Sequence, residues 1–278
     1  MKYLKISIDF FYKKIVKFID NIFLTISLLN LKKNLISYNH EDLAKKFQIL
    51  VDDYEEEFDF EKSFGFKIEK DFILNLAKYT KVIPKKSELN IDHGRLLYSC
   101  LRSYIKRLNE NKINIIETGT AMGFSSLCMS KALLDSNFIG QIYTFDIIPH
   151  NKVIDWKSYG NKGEPSSRRD ILNKWSALSN KYINYLNGFS HISLSKIYFD
   201  RIHFAFLDGS HYGHDIDYEF SHIVRLQQKG DIVVFDDYNE KQYPDLKIRI
   251  DKLIDKFGYN KKIIEGKNFR NYVIASKK

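Results

Sequence analysis

The chain has 278 residues, of which 44% are hydrophobic and 15% aromatic. This composition excludes a globally disordered protein and allows one domain plus a sizeable extension. The net charge of +9, from 44 Lys and Arg against 35 Asp and Glu, favours anionic partners. No dense basic stripe with interleaved aromatic residues occurs, so the charge does not predict nucleic acid binding.

The N-terminal segment, residues 1–35, has apolar residues at helical spacing and lysines between them, which predicts an amphipathic helix. Its longest uncharged run, residues 21–31, is too short to span a bilayer. We expect the helix to pack on the domain or on a second subunit of a homo-oligomer. Peripheral contact with an anionic membrane surface is the alternative that the pattern leaves open. No cleavable signal peptide is predicted, and we expect a cytoplasmic protein, with association at the inner face of the membrane as the alternative.

Charged helical patterns continue to residue 110, so residues 1–110 are predicted to form a helical extension before a domain at 111–278. Cys100 and Cys128 lie in apolar helical patterns without metal-ligand spacing, and we expect two buried thiols.

Strands and helices alternate after residue 112. Strands are predicted at Asn114–Glu117, Gln141–Asp146, Ile183–Leu186, Ile202–Asp208, Asp231–Phe235, Lys261–Glu265 and Tyr272–Ser276. Helices are predicted at Phe124–Leu134, Ser167–Leu178, Gly213–Gln228 and Asp245–Phe257. The short link between the last two strands indicates a hairpin. The fold class is therefore α/β, a Rossmann-like seven-stranded, mostly parallel sheet with an antiparallel last strand.

A glycine turn follows the first predicted strand, where Glu117 precedes Gly119 and Gly123. Glycine allows a ligand to approach the backbone, and the N-terminus of the next helix offers free N–H groups. The spacing fits the dinucleotide fingerprint G-x-G-x-x-G poorly. Asp146 ends the second strand beside this turn, where a carboxylate can accept both hydroxyls of a ribose.

Two further apolar strands end in carboxylates, the first in Asp208 and the second in Asp236 and Asp237. The ends of neighbouring parallel strands converge on the ligand-binding edge of such a sheet. Clustered carboxylates repel each other unless they are protonated or bridged by a cation. Oxygen ligands suit Mg²⁺ or a similar hard divalent ion. Capping of the next helix by Asp236 and Asp237 is the simpler alternative.

On these residues, about positions 90–278 resemble the class I S-adenosylmethionine-dependent methyltransferases. The similarity is greatest to the catechol-type and sugar-type O-methyltransferases that use a metal. The resemblance implies S-adenosylmethionine as the cofactor, with the methionine part at the glycine turn, the ribose at Asp146 and the adenine after the third strand. The residues implied to contact it are Glu117, Gly119, Gly123, Ser125, Asp146, Gly188, Ser190 and Asp208.

The same resemblance implies that Asp208, Asp236 and Asp237 are ligands of Mg²⁺, with Asp208 also part of the catalytic centre. The third ligand of the family is commonly Asn, so Asp237 either tightens metal binding or lies behind the direct ligands. His211 stands at the offset of the family's general-base Lys and is predicted to accept the proton. His214 competes for this role, and capping of the following helix is the alternative for His211.

We therefore expect metal-assisted methylation of a hydroxyl on a small molecule, a sugar or glycosyl acceptor rather than a catechol. The segment 147–169 is expected to cover this acceptor as a mobile loop. Arg168 and Arg169 are expected to be solvated charges at the start of a helix, with binding of a phosphate or carboxylate of the acceptor as the alternative. Three alternatives stay open: other chemistry on a small metabolite, such as hydroxylation, a non-catalytic binding protein on this scaffold, and an RNA methyltransferase. The missing basic stripe counts against the last.

Overall fold

The computed structural model describes residues 22, 24–26, 39–54, 57–85, 89–209, 213–267 and 270–278. Residues 22 and 24–26 are helical, with Ile22 and Ile26 exposed, and the rest of the helix predicted over 1–35 lies outside the described residues. Among the helices that are described, none has the length and apolar character needed to cross a membrane.

Between residue 39 and the sheet, the described residues form the helices α1 (His40–Asp53), α2 (Asp59–Phe64), α3 (Lys70–Thr80) and α4 (Asp92–Lys106). The side chain of Asn39 caps α1 by accepting a hydrogen bond from the Glu41 N–H. Gly65, in the left-handed conformation with φ 76°, ends α2. A buried ion pair between Glu61 of α2 and Arg95 of α4 joins these two helices.

The seven strands are β1 (Lys112–Thr118), β2 (Ile139–Asp146), β3 (Ile183–Asn187), β4 (Phe204–Leu207), β5 (Ile232–Phe235), β6 (Tyr259–Glu265) and β7 (Asn271–Lys277). They form one sheet in the order β3-β2-β1-β4-β5-β7-β6. β1 to β5 are parallel, and β7 is antiparallel to both β5 and β6. The strand order reverses between β1 and β4, which is where open α/β sheets bind ligands.

The helices between and around the strands are α5 (Phe124–Asp135), α6 (Arg168–Ile171), α7 (Ser176–Tyr182), α8 (Ser190–Ser193), α9 (Gly213–Val224) and α10 (Pro244–Phe257). Short 3₁₀ turns follow α6 at Leu172–Trp175 and α8 at Leu194–Lys196.

The sheet buries both of its faces, and neighbouring residues of a strand point into different cores. In β4, Phe206 packs into the core formed with α1 to α5, whereas Leu207 packs into the core formed with α9 and α10. Residues from Leu50 to Ile105 therefore share one hydrophobic core with the sheet. The N-terminal helices are packed as one layer of the fold.

The predicted fold class and all seven strands are confirmed, and both cysteines are buried and free. The single helix predicted over Ser167–Leu178 is instead three short helical turns, and α8 was not predicted. Both differences fall in segments of only four to seven residues per element. Such short elements are determined by packing more than by hydrophobic periodicity.

The segment 147–169, expected to be a loop over the site, is attached to the N-terminal helices. The Ser158 hydroxyl donates to the Tyr79 carbonyl at 2.6 Å, and the Gly160 N–H donates to the Lys78 carbonyl at 2.9 Å. Ile154 and Ser166 pair within the segment as a β-bridge. The end of α3 therefore determines where this segment lies.

Candidate active site at the carboxyl edge of the sheet

The glycine turn connects β1 to α5 and touches the end of β4. Gly119 has φ 87°, a left-handed conformation that favours glycine. A Cβ atom on Gly119 would lie 2.0 Å from the carbonyl oxygen of Asp208. Any side chain here would therefore separate the turn from the first residue of the acidic cluster. The turn and the cluster form one continuous site.

Glu117 is fully buried at the end of β1 and accepts hydrogen bonds from the hydroxyls of Ser125 and Ser126 at the start of α5. Burial raises the pKa of Glu117, and the two hydroxyls oppose that rise. Ser125, expected beside the methionine part of the cofactor, holds Glu117. These contacts connect the residue before the glycine turn to the helix that follows it, and so hold the turn in place.

Asp146 ends β2 beside the turn, as predicted, but its carboxylate already has three donors. The N–H groups of Ala121 and Ile148 each donate at 2.7 Å, and Arg168 donates at 3.0 Å. Burial raises the pKa of Asp146, and Arg168 opposes the rise. A carboxylate offers about four acceptor positions. One position therefore remains for a ribose hydroxyl in this arrangement, where two hydroxyls were expected.

Arg168 corrects the expectation of a solvated charge. Its side chain is only 2% exposed and also donates to the backbone carbonyl oxygens of Ala121 and Ile148. The ion pair with Asp146 and these two carbonyls satisfy the guanidinium, so its burial is tolerated. Arg169, the next residue, is exposed as expected.

The segment after β3 reaches the same edge of the sheet. Gly188 has φ 130°, and the Ser190 hydroxyl donates to the buried carboxylate of Glu219 on α9. The Thr118 hydroxyl donates to the same carboxylate at 3.1 Å. Burial raises the pKa of Glu219 to about 7. Sequence analysis did not single out Glu219, because it lies in the middle of an ordinary amphipathic helix pattern.

The three predicted metal ligands lie together. β4 and β5 are parallel neighbours with Leu207 opposite Phe235, so the residues that follow these two strands meet at the edge. Ligand oxygens of Asp208, Asp236 and Asp237 all lie within 4.8 Å of one another. A small pocket of about 10 Å³ adjoins them, lined by Leu207, Asp208, Gly209, Ile216, Glu219, Asp236, Asp237 and Leu246.

The cluster is strained and strongly charged. Asp237 has φ 54°, an uncommon backbone conformation for a residue with a side chain. Burial raises the pKa of Asp208 well above its usual value, and the charges of Asp236 and Asp237 raise it further. Burial and Asp237 likewise raise the pKa of Asp236. Protonation or a bound cation would relieve the repulsion within such a group of carboxylates.

Three cations surround these carboxylates, and none of them was predicted. Arg270, at the start of β7, donates to Asp237 at 3.2 Å and lies 3.9 Å from Asp236. Lys81 and Lys85, from the connection after α3, are close enough to influence the pKa of Asp208 or to be influenced by it. Their positions depend on chain segments far apart in sequence, which no local pattern reveals.

The donor set fits a hard divalent ion, because Asp208 and Asp236 present oxygens beside a cavity. The carboxylate of Asp237 forms an ion pair with Arg270, so Asp237 fits a role in supporting the metal ligands better than direct coordination of the ion. His211 lies outside the described residues. His214, its competitor, is 83% exposed and lies 3.9 Å from Asp217 on the surface of α9.

Residues 116–238, which include the glycine turn and all three carboxylates, match the family described as "Methyltransferase domain". The matched part of the chain is similar to a methyltransferase domain. The resemblance noted from the glycine turn and the strand-end acids is thereby confirmed, as is the expectation of an S-adenosylmethionine-dependent methyltransferase. No curated protein matches the chain in sequence.

Solved structures share this methyltransferase fold. The O-methyltransferase TomG from Streptomyces achromogenes, involved in tomaymycin synthesis and solved with SAM, is 16% identical with a TM-score of 0.52. That similarity covers 76% of this chain and 92% of TomG. The O-methyltransferase from Bacillus cereus, solved with SAH, is 14% identical with a TM-score of 0.50, covering 86% of this chain and 100% of that one. At these identities the similarity establishes the fold.

Proposed function

We propose that the chain is a divalent-metal-assisted O-methyltransferase that acts on a hydroxyl of a small molecule. The observation that carries this proposal is the cluster of three carboxylates, with ligand oxygens within 4.8 Å of one another, directly against the glycine turn. With the carboxylates and the glycine turn at one edge, a hydroxyl held by the metal would lie next to the methyl donor.

The residues of the chain divide this work between them. Asp208 and Asp236 would hold the metal, and Arg270 keeps Asp237 turned toward them. Asp146 would accept one ribose hydroxyl at its remaining acceptor position. When bound, S-adenosylmethionine supplies an electrophilic methyl group, and Mg²⁺ lowers the pKa of a hydroxyl that it coordinates. Holding the two partners in contact supplies much of the rate.

The acceptor in this proposal is a sugar or a glycoside. Its support is the resemblance to sugar-type enzymes and the net charge of +9, which favours a phosphorylated acceptor. The division into an extension at 1–110 and a domain at 111–278, a homo-oligomer and membrane contact through residues 1–35 are proposals of the same kind.

Calorimetric titration of the full chain with S-adenosylmethionine, in Mg²⁺ and in EDTA, tests the proposal. We expect cofactor binding in both conditions. Methyl transfer to a panel of UDP-hexoses and to catechol should occur in Mg²⁺ and cease in EDTA. Absence of cofactor binding in both conditions would refute the methyltransferase assignment. Turnover that persists in EDTA would refute the requirement for a metal and leave the methyltransferase assignment in place.

A further inference from the structure

Lys81 follows α3 and brings an amine from the N-terminal helices to the edge of the sheet. Its N–H donates to the Ala77 carbonyl at 2.8 Å, which fixes the backbone at the end of the helix. The side chain is half-buried, with Nζ 3.4 Å from Nε2 of His93 and 5.4 Å from the ring centroid of Phe124. The amine is thus in contact with His93 and lies near the ring of Phe124, while the residue keeps part of its surface exposed.

This position lies between the two halves of the proposed site. Phe124 is the first residue of α5 and directly follows the glycine turn. On the other side, the charges of Asp208 and Asp236 act on Lys81. Methyl transfer under the proposed function happens between the turn and these carboxylates. Under the proposed function, an acceptor held between the turn and these carboxylates would therefore lie beside this amine.

The surroundings of Lys81 disfavour its protonated form. Burial is the largest cause, and together with the positive charges of Lys85 and Arg270 it lowers the pKa of Lys81 to about 7, against the opposing effect of Asp208 and Asp236. In the part of the chain that the structure describes, Lys81 forms no ion pair with a carboxylate within 4.0 Å. A substantial fraction of the amine is therefore neutral at neutral pH, as a proton acceptor requires.

His93 suits an amine that gains and loses a proton. Burial lowers the pKa of His93 well below its usual value, so its imidazole is neutral. Nε2 of a neutral imidazole can accept from an ammonium or, in the other tautomer, donate to a neutral amine. The contact between Lys81 and His93 can thus persist in both protonation states, which keeps the amine in place.

We infer that Lys81 is the general base that takes the proton from the acceptor hydroxyl. The acceptor oxygen forms a bond to the methyl carbon, and the carbon–sulfur bond breaks with its electron pair on sulfur. The hydroxyl proton passes to Nζ of Lys81, which becomes an ammonium. The inference rests on the proposed function and gives this role to the N-terminal helices, where His211 was expected from sequence.

The kinetic test compares Lys81→Met and Lys81→Ala with His211→Asn, using UDP-glucose and catechol as probes in Mg²⁺. We expect Lys81→Met to lower kcat by about 10²- to 10⁴-fold, the usual contribution of a general base, with little change in affinity for S-adenosylmethionine. Primary amines added to Lys81→Ala should restore turnover in proportion to their basicity. Lys78→Met is the matched control, because Lys78 is half-buried on the same helix and contacts Phe47 and Tyr159 instead.

A purely structural role for Lys81 would not give amine rescue that follows basicity. If His211→Asn rather than Lys81→Met removes turnover, or if Lys81→Met retains it, the inference is overturned while the methyltransferase assignment stands. If the wild-type chain transfers no methyl group to either probe, the reactivity of Lys81 toward an acylating reagent tests the inference instead. Acylation at pH 7, followed by mass spectrometry, should modify Lys81 faster than Lys78, and equal rates would overturn the inference.

Discussion

The candidate site has two halves, one at the ends of β1 and β2 and one at the ends of β4 and β5, and the carboxylates of the two halves have different surroundings. At the ends of β1 and β2, Glu117 and Asp146 are surrounded by hydroxyls, N–H groups and one guanidinium of the chain itself. At the ends of β4 and β5, three carboxylates crowd together and raise the pKa of Asp208 and Asp236. The protein itself supplies partners to the carboxylates of the first half, whereas those of the second half would be bridged by a cation under the proposed function. We therefore expect the first half to contribute to stability and the second to lower stability when no metal is bound.

The largest expected effect is on the satisfied half, where Arg168→Met leaves the buried Asp146 without its cation. Breaking a buried ion pair costs about 3–5 kcal/mol, so the free energy of unfolding should fall by that amount. Urea unfolding measures it. Arg169→Met is the matched control, because Arg169 is the exposed neighbour and should change stability by less than about 0.5 kcal/mol. Equal effects of the two variants would contradict the role given to Arg168.

Asp236→Asn tests the crowded half. Loss of a metal ligand should lower the rate of methyl transfer by at least about 100-fold. In EDTA the same change removes a repelling charge, so the free energy of unfolding should hold or rise. Rate assays in Mg²⁺ and urea unfolding in EDTA measure the two effects. A variant that is both active and less stable would place Asp236 among the structural residues.

Ser126→Ala removes one of the donors to Glu117. A buried carboxylate left short of a hydrogen bond costs about 1–3 kcal/mol, to be read from the shift in urea unfolding. Ser130→Ala provides the comparison, because Ser130 is equally buried on the same helix but donates only to the Ser126 carbonyl at 2.9 Å. Its replacement should cost clearly less. If Ser130→Ala costs as much, Glu117 does not depend on these hydroxyls.

The smallest effect is the pH dependence of the crowded half. Because burial and the neighbouring carboxylates raise the pKa of Asp208, the folded chain holds more protons than the unfolded chain above pH 4. The free energy of unfolding should therefore fall as pH rises through this range, by at most about 1.4 kcal/mol per pH unit for one group.

Urea unfolding in EDTA between pH 5 and 6.5 measures this dependence below the range in which Lys81 titrates. Other buried carboxylates, such as Glu219, contribute with the same sign. The difference between the wild-type chain and Asp208→Asn isolates Asp208. Parallel pH profiles of the two proteins would show that the crowding of Asp208 has no energetic consequence.

Sequence periodicity was sufficient for the sheet, because buried parallel strands must be almost entirely apolar and must end where the chain turns polar. The run before Asp208 and the run before Asp236 show both features, and the structure confirms the prediction that these two strands are parallel neighbours. The glycine turn, Asp146 and the three clustered carboxylates could therefore be located before any coordinates. Each of these residues is fixed by the strand that it ends.

Only the tertiary structure decided which cations meet these carboxylates. Arg168 lies 22 residues beyond Asp146, and Arg270 lies 33 residues beyond Asp237. Lys81 reaches the site because α3 packs in the core shared with the sheet. The residues next to a charged side chain in sequence do not differ between an exposed charge and a buried ion pair. The sequence therefore does not predict which partner such a side chain has. The sequence alone therefore determines where the acidic residues lie, because each follows the end of a strand. The packing of distant segments determines which cations lie beside them.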